Sequence, residues 1–333
     1  MLLARPLATA AALLLGTSAL FAQGADPAVI FDLGGKFDKS FNEASYTGAE
    51  RFKTETGIAY HEFELQSDAQ REQALRRFAE QGYNPVVVAG FSYETAMNEI
   101  APDFPDTDFV IIDAVVEQPN VRSVVFNEHE GSYVVGVLAA MASQTGKVGF
   151  VGGMDIPLIQ KFACGFVQGV KATRPDATVF QSMTGTTGAA WNDPVRGGEL
   201  AKSQMDQGAD VIYHAAGGTG IGVLQAVADA GKLGIGVDSN QDYLHPGNML
   251  TSMLKRVDLA TYTAMMDVKD GKFTPGVQVL GLKEDGVGYA LDEYNKPLLT
   301  PEMLDAANAA RTKIASGEIT VHDFTTDGAC PVK

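Results

Sequence analysis

Cysteine is nearly absent from this 333-residue chain: there are two, Cys164 and Cys330. So few thiols exclude a disulfide-dense scaffold, and neither cysteine has a histidine or second cysteine at metal-ligand spacing. Tryptophan is scarcer still, with Trp191 alone. Positive charge is in deficit: 25 Lys and Arg stand against 41 Asp and Glu, a net charge of −16. Such a chain repels phosphate backbones and anionic lipid surfaces, so no nucleic-acid partner is expected. The five histidines (His61, His129, His214, His245 and His322) are scattered, without a HExxH pair. Neither a metal site nor a bound cofactor is expected, and no catalytic residue is nominated. No GxSxG elbow lies near Ser92, and the run Gly217–Val223 is neither GxGxxG in register nor a P-loop.

Long apolar runs are also missing. The longest opens the chain: MLLARPLATAAALLLGTSALFA has one positive charge, Arg5, before an apolar stretch. Small residues then lead to Ala22, the layout of a cleavable secretory signal over residues 1–22. The alternative is a transmembrane anchor, but Gly16, Thr17 and Ser18 interrupt the stretch before it reaches spanning length. No cysteine sits near the cleavage point, so the expected product is periplasmic and free of a lipid anchor. In an exported chain the two thiols are expected to form one disulfide, Cys164 to Cys330, pinning the C-terminal tail; two free thiols are the alternative.

What the chain does have is alternation. Short apolar runs predict strands at 28–31, 58–65, 85–89, 108–112 and 121–126. Amphipathic runs at 41–56, 68–81 and 93–100 predict the helices between them. The cycle restarts with a helix at 131–142, then strands at 148–151, 178–181, 210–213 and 234–237, each followed or preceded by a helical run. Runs apolar on both faces belong to parallel sheets covered by helices. The fold class is therefore α/β, with two doubly wound parallel-sheet lobes, and roughly 310 residues after the leader suit about two domains.

No flexible linker marks the boundary near Phe126, so strands are expected to cross directly between lobes there, near 249–254 and near 277–282. This three-strand hinge assigns 26–126 with 255–281 to lobe 1, and 127–254 with 282–333 to lobe 2. A hinge of this kind suits closure on a ligand.

In doubly wound sheets the ligand sits beyond the carboxyl ends of strands. After the first strand comes DLGGKFDKSFNE, where Ser40 and Glu43 have capping-box spacing and place Phe41 and Asn42 in the first helical turn. Phe41 as a core residue is the alternative. Asp32, Asn42 and Asp113 are candidates to meet polar groups of a ligand, with a simple turn as the alternative for Asp113. Gly217 and Gly218 allow a close backbone approach. Asp238 ends a strand as either ligand acceptor or strand-end cap, and Lys255 is either a polar contact or a solvated surface lysine. Trp191 is a stacking surface or an interlobe packing residue. Glu128-His129-Glu130 reads as an exposed helix start.

The string FDLGGKFDKSFNEASYTGAE resembles the opening of the basic membrane protein family, the purine-nucleoside-binding proteins of ABC importers. GSYVVGVLAAM, VGFVGGMDIPLIQKFACGFVQG, ADVIYHAAGGTGIGVLQA and IGVDSNQD continue the resemblance in order, from about Val29 to Lys255. It implies a type I periplasmic-binding fold with a nucleoside between aromatics: Phe41 from one lobe and, more loosely because many members have Phe there, Trp191 from the other. It also implies that Asp238, with Lys255, holds the ribose while Asp32, Asn42 and Asp113 face the base. The partners so implied are a small-molecule nucleoside and an ABC permease in the membrane, with the protein itself a monomer. Rival readings are a sugar-binding protein of the same fold, a nucleoside-processing hydrolase using Asp32 with Asp113, and a sensor for a membrane receptor.

Overall fold

The computed structural model describes residues 25–332; the proposed leader and Lys333 lie outside the described residues. The first series runs β1 (Ala28–Phe31), α1 (Phe41–Thr56), β2 (His61–Glu64), α2 (Arg71–Glu80), β3 (Val86–Ala89), α3 (Glu94–Ile100), β4 (Phe109–Ile112) and β5 (Val121–Phe126). The second runs α4 (Glu128–Ala142), β6 (Lys147–Met154), α5 (Pro157–Thr173), β7 (Thr178–Gly185), α6 (Pro194–Asp206), β8 (Val211–Ala215), α7 (Thr219–Asp229), β9 (Leu233–Asp238) and β10 (Met249–Lys255). Then come α8 (Val257–Lys269), β11 (Gly276–Leu280), β12 (Val287–Tyr289) and α9 (Pro301–Ala315).

These strands form two six-stranded sheets, ordered β11-β5-β4-β3-β1-β2 and β12-β10-β9-β8-β6-β7. Every strand pair is parallel except β10 with β12. β1, β3 and β4 are buried along their whole length because helices cover both faces, which is why they read as unbroken apolar runs. The fold is the type I periplasmic-binding architecture of two doubly wound lobes. The chain passes between the sheets after β5, after β10 and after β11.

Helix α8 returns to pack on α1, where a Cβ at Gly48 would lie 2.1 Å from the Asp258 carbonyl oxygen. In the other lobe, α4 and α5 approach just as closely. A Cβ at Gly165 would meet the His129 carbonyl oxygen at 2.3 Å, and one at Gly169 the Tyr133 oxygen at 2.0 Å. Cys164 on α5 is disulfide-bonded to Cys330, with Cα atoms 5.5 Å apart. The Gln168 side-chain amide donates to the His322 carbonyl and its oxygen accepts from the His322 N–H, so the tail is held on α5 at a second point. Alternation did not signal β12 or α9; α9 begins where Thr300 accepts from the Met303 N–H and Pro301 opens the helix.

Candidate ligand-binding site

Both sheets share one winding order, 2-1-3-4-5 within each series, so each has a switch point between its first and third strands. The carboxyl ends of these strands face one cavity. Its wall takes Asp32 and Leu33 after β1, Gly90 and Phe91 after β3, and Asp113 after β4. From the other series come Ala215, Ala216 and Gly217 at β8, Val237 and Asp238 at β9, and Lys255 at β10. The first turn of α1 adds Phe41 and Asn42, the first two turns of α5 add Leu158, Ile159 and Phe162, and Trp191 arrives from the turn before α6. The cavity thus gathers Asp32, Phe41, Asn42, Asp113, Trp191, Gly217, Asp238 and Lys255, the residues singled out above.

One pole is built on ions. Lys255 is 2% exposed, not a solvated surface lysine, and its ammonium pairs with Asp113 at 2.6 Å and Glu128 at 3.0 Å. Burial would lower the Lys255 pKa, but Asp113, Glu128 and Asp238 more than reverse that and hold it charged. The same ammonium lies 5.2 Å from the Phe41 ring centroid and 5.1 Å from that of Phe126. Burial lifts the Asp113 carboxyl to about 6 against the pull of Lys255, and lifts Asp238 as well. Asp113 Oδ1 is buried without a hydrogen-bond partner among the described residues. Asp113 and Asp238 each occupy left-handed backbone, at φ 72° and 63°, which turns their side chains off the strand ends.

Glu128 and His129 are buried, at 1% and 6% exposure, so the Glu128-His129-Glu130 run is not the exposed helix start that its composition suggested. Glu128 sits between Lys255 and Lys161, and Lys161 reaches on to Asp323 in the tail at 3.4 Å and donates to the Phe126 carbonyl at 2.7 Å. Five alternating charges therefore run from the cavity, past the end of β5, to the tail.

The other pole is Asp32. It responds to Arg71 and Asp68, whereas Asp238 responds to Lys255 and Glu128, so the two carboxylates have separate electrostatic surroundings. Asn42 lines the cavity, and its amide is also bonded to the loop after β1. Its Oδ1 accepts from the Asp32 N–H and its Nδ2 donates to the Asp32 and Gly35 carbonyls, so it shapes the loop after β1. The expected capping box at Ser40 and Glu43 is not formed. Asp38, 6% exposed, accepts the N–H groups of Ser40, Asn42 and Glu43, while the Ser40 hydroxyl donates to Asp238 beside the cavity. Ser239 Oγ donates to the Ser40 carbonyl and Gln241 Nε2 to the Lys39 carbonyl, completing a latch between the two lobes. Burial raises the Asp38 carboxyl to about 7, with its three backbone donors opposing.

The rest of the wall is largely apolar and aromatic, with Phe41, Phe91, Phe162 and Trp191, and the Phe41 and Phe162 rings lie 5.2 and 5.5 Å from the Lys255 ammonium. The indole lies against Gly153 of β6, where a Cβ would come within 2.1 Å of the ring. A strand glycine thus makes room for a side chain larger than phenylalanine. Gly153, Asp38, Phe91 and Phe162 were not singled out from sequence, and Ser40 was read only as a helix cap; the rule that strand ends face the ligand points to Phe91 after β3, whereas Gly153 against Trp191 and Ser40 against Asp238 depend on contacts between distant segments. Among the described residues no cluster of His, Cys, Asp and Glu could hold a metal ion. His214 is buried and bonded to Gln241 at 2.9 Å, and burial holds its pKa down at about 4.

The family model for ABC transporter substrate-binding proteins of the PnrA-like type, Bmp, matches residues 26–325. The chain is similar to the ABC transporter nucleoside-binding protein BmpA of Lactococcus lactis, 33% identical over 92% of this chain and 91% of that protein. It is also 37% identical to an uncharacterized lipoprotein of Pyrococcus horikoshii, over 79% of this chain and 68% of the relative. That name runs against the expected absence of a lipid anchor. A crystal structure of an ABC transporter solute-binding protein from Aeropyrum pernix superposes with a TM-score of 0.83 at 30% identity, covering 90% of this chain and 93% of that one. The chain belongs to the Bmp family of ABC transporter substrate-binding proteins, whose members capture a small solute for a membrane permease.

Proposed function

We propose that the solute is a purine nucleoside, held with its base between Phe41 and Trp191 and its pentose against Asp238, Asp113 and Lys255. The observation that carries this reading is one cavity that combines Asp32 in its own Arg71 surroundings, four aromatic rings, and the Asp113, Asp238 and Lys255 cluster. A nucleoside has three matching parts: a polar base edge, a flat ring and a diol. Stacking on an aromatic contributes about 1–3 kcal/mol per base, and ionised carboxylates are strong acceptors for hydroxyl groups. A relative's name, nucleoside-binding protein, supports the same choice. Four lining carboxyl groups, Asp32, Asp38, Asp113 and Asp238, face one lining ammonium, so a phosphorylated ligand is disfavoured.

In this reading the chain catalyses nothing. The pair that a hydrolase reading would use, Asp32 and Asp113, is tied to Arg71 and to Lys255 respectively. Residues 26–126 with 256–281 act as one lobe and 127–255 with 282–333 as the other, Lys255 going with β10 of the second sheet rather than with the first lobe, and the two close as a monomer in the periplasm. Mass determination of the mature protein shows whether it carries a lipid, as the lipoprotein name of a relative raises.

Calorimetry with purine nucleosides tests the site. Asp238→Ala and Trp191→Ala should each weaken binding more than about tenfold, which is about 1.4 kcal/mol, while thermal unfolding of the unliganded protein stays nearly unchanged. Wild-type affinity in either variant would contradict the assignment.

A further inference from the structure

Asp32 is the one lining carboxylate at its pole, and half of it is already committed. Oδ1 accepts from the Leu33 N–H at 2.7 Å and from Arg71 Nη2. Oδ2 takes no hydrogen bond among the described residues and faces Gly90, where a Cβ would lie 2.6 Å from it. Arg71 does not line the cavity. It opens α2, pairs also with Asp68, and stacks its guanidinium 5.5 Å from the centroid of the buried Tyr93 ring. It therefore reaches a ligand only through Asp32.

From this arrangement we infer that Arg71 decides which purine nucleoside the cavity accepts: it fixes Asp32 as an acceptor-only carboxylate, selecting bases that present ring N–H donors, guanosine and inosine, over adenosine. The inference rests on the purine-nucleoside reading above. Its chemistry is a matter of one proton. An ionised carboxylate only accepts, whereas a protonated one both donates and accepts. Guanine offers N1–H and N2–H₂ side by side, and hypoxanthine offers N1–H. Adenine offers an N1 lone pair beside N6–H₂, the pattern that a protonated carboxyl complements. Burial pushes the Asp32 proton affinity up, and the Coulombic pull and hydrogen bond of Arg71 oppose it. Without the guanidinium, burial acts on Asp32 with little to offset it and favours the neutral acid. Arg71 is thus a positioning residue that acts on specificity through Asp32.

The test is calorimetry of the full chain with guanosine, inosine and adenosine, near neutral pH and about two units lower, for wild type, Arg71→Met and Arg71→Lys. Wild type should bind guanosine at least about tenfold more tightly than adenosine. Arg71→Met should shrink that ratio to about threefold or less, with adenosine binding tightening as the pH falls. Arg71→Lys should restore the preference. An unchanged ratio in Arg71→Met, or equal wild-type affinities for guanosine and adenosine, would overturn the inference. Should Arg71→Met not fold, wild type decides alone: 1-methylinosine, which lacks the N1–H, should bind at least about tenfold more weakly than inosine, and equal binding refutes the inference. Failure of the underlying reading looks different, since wild type would then bind none of the nucleosides.

Discussion

Lys161 shows how much one buried side chain holds together. It pairs with Glu128, reaches Asp323 and donates to the last carbonyl of β5, where the chain leaves the first sheet. Glu128 in turn helps hold Lys255 against Asp113. Removing one partner from a buried ion pair strands the other charge, at about 3–5 kcal/mol. Lys161→Met should therefore lower the free energy of unfolding by about that amount in chemical denaturation. A loss below about 1 kcal/mol would show that the five charges are not coupled. None of this was legible locally: a Glu-His-Glu run is an ordinary surface sequence until two lysines, 33 and 127 positions downstream, are folded onto it. Ser40 is hidden for the same reason. Its spacing to Glu43 reads as a capping box, but the capping falls to Asp38 and Ser40 bonds Asp238, 198 residues away.

At the level of elements, the strands were the readable part. Val86, Val87 and Val88 or Phe109 to Ile112 are buried on both faces, and a fully buried parallel strand has no polar positions to disguise it. Because strand ends face the ligand in this architecture, a correct set of strands already pointed to Asp32, Asp113, Asp238 and Lys255. β4 and β9 are the fourth strands of their series, and each ends in an aspartate with left-handed backbone. The two lobes thus contribute equivalent positions to the ionic pole. Less readable were β12, three residues long, and α9, which follows no strand of a repeating unit. Helix contacts also depend on partners that sequence does not show. The seam between α4 and α5 relies on glycine where backbone meets side-chain space, so Gly169→Ala should lower stability by about 1–3 kcal/mol through a forced separation of the helices. An unchanged melting temperature would mean that the seam can open without loss.

For the whole molecule, the proposed reading makes binding and closure one event. The latch of Ser40 with Asp238, Ser239 with Ser40, and Gln241 with Lys39 joins the lobes beside the cavity. A ligand drives closure only by the difference in its affinity for closed and open forms. A ring clamped between lobes supplies that difference, because an open cleft separates its two faces. The chain carries its own reporter of the clamp: Trp191 is the sole tryptophan, lines the cavity and lies against Gly153. Titration of wild-type protein with guanosine and, separately, with ribose, following Trp191 emission excited at its red edge, tests the clamp most directly. Saturable quenching by the nucleoside at concentrations where ribose does nothing is the expected result; nucleoside binding seen by calorimetry with Trp191 emission unmoved, or an equal response to ribose, would contradict it.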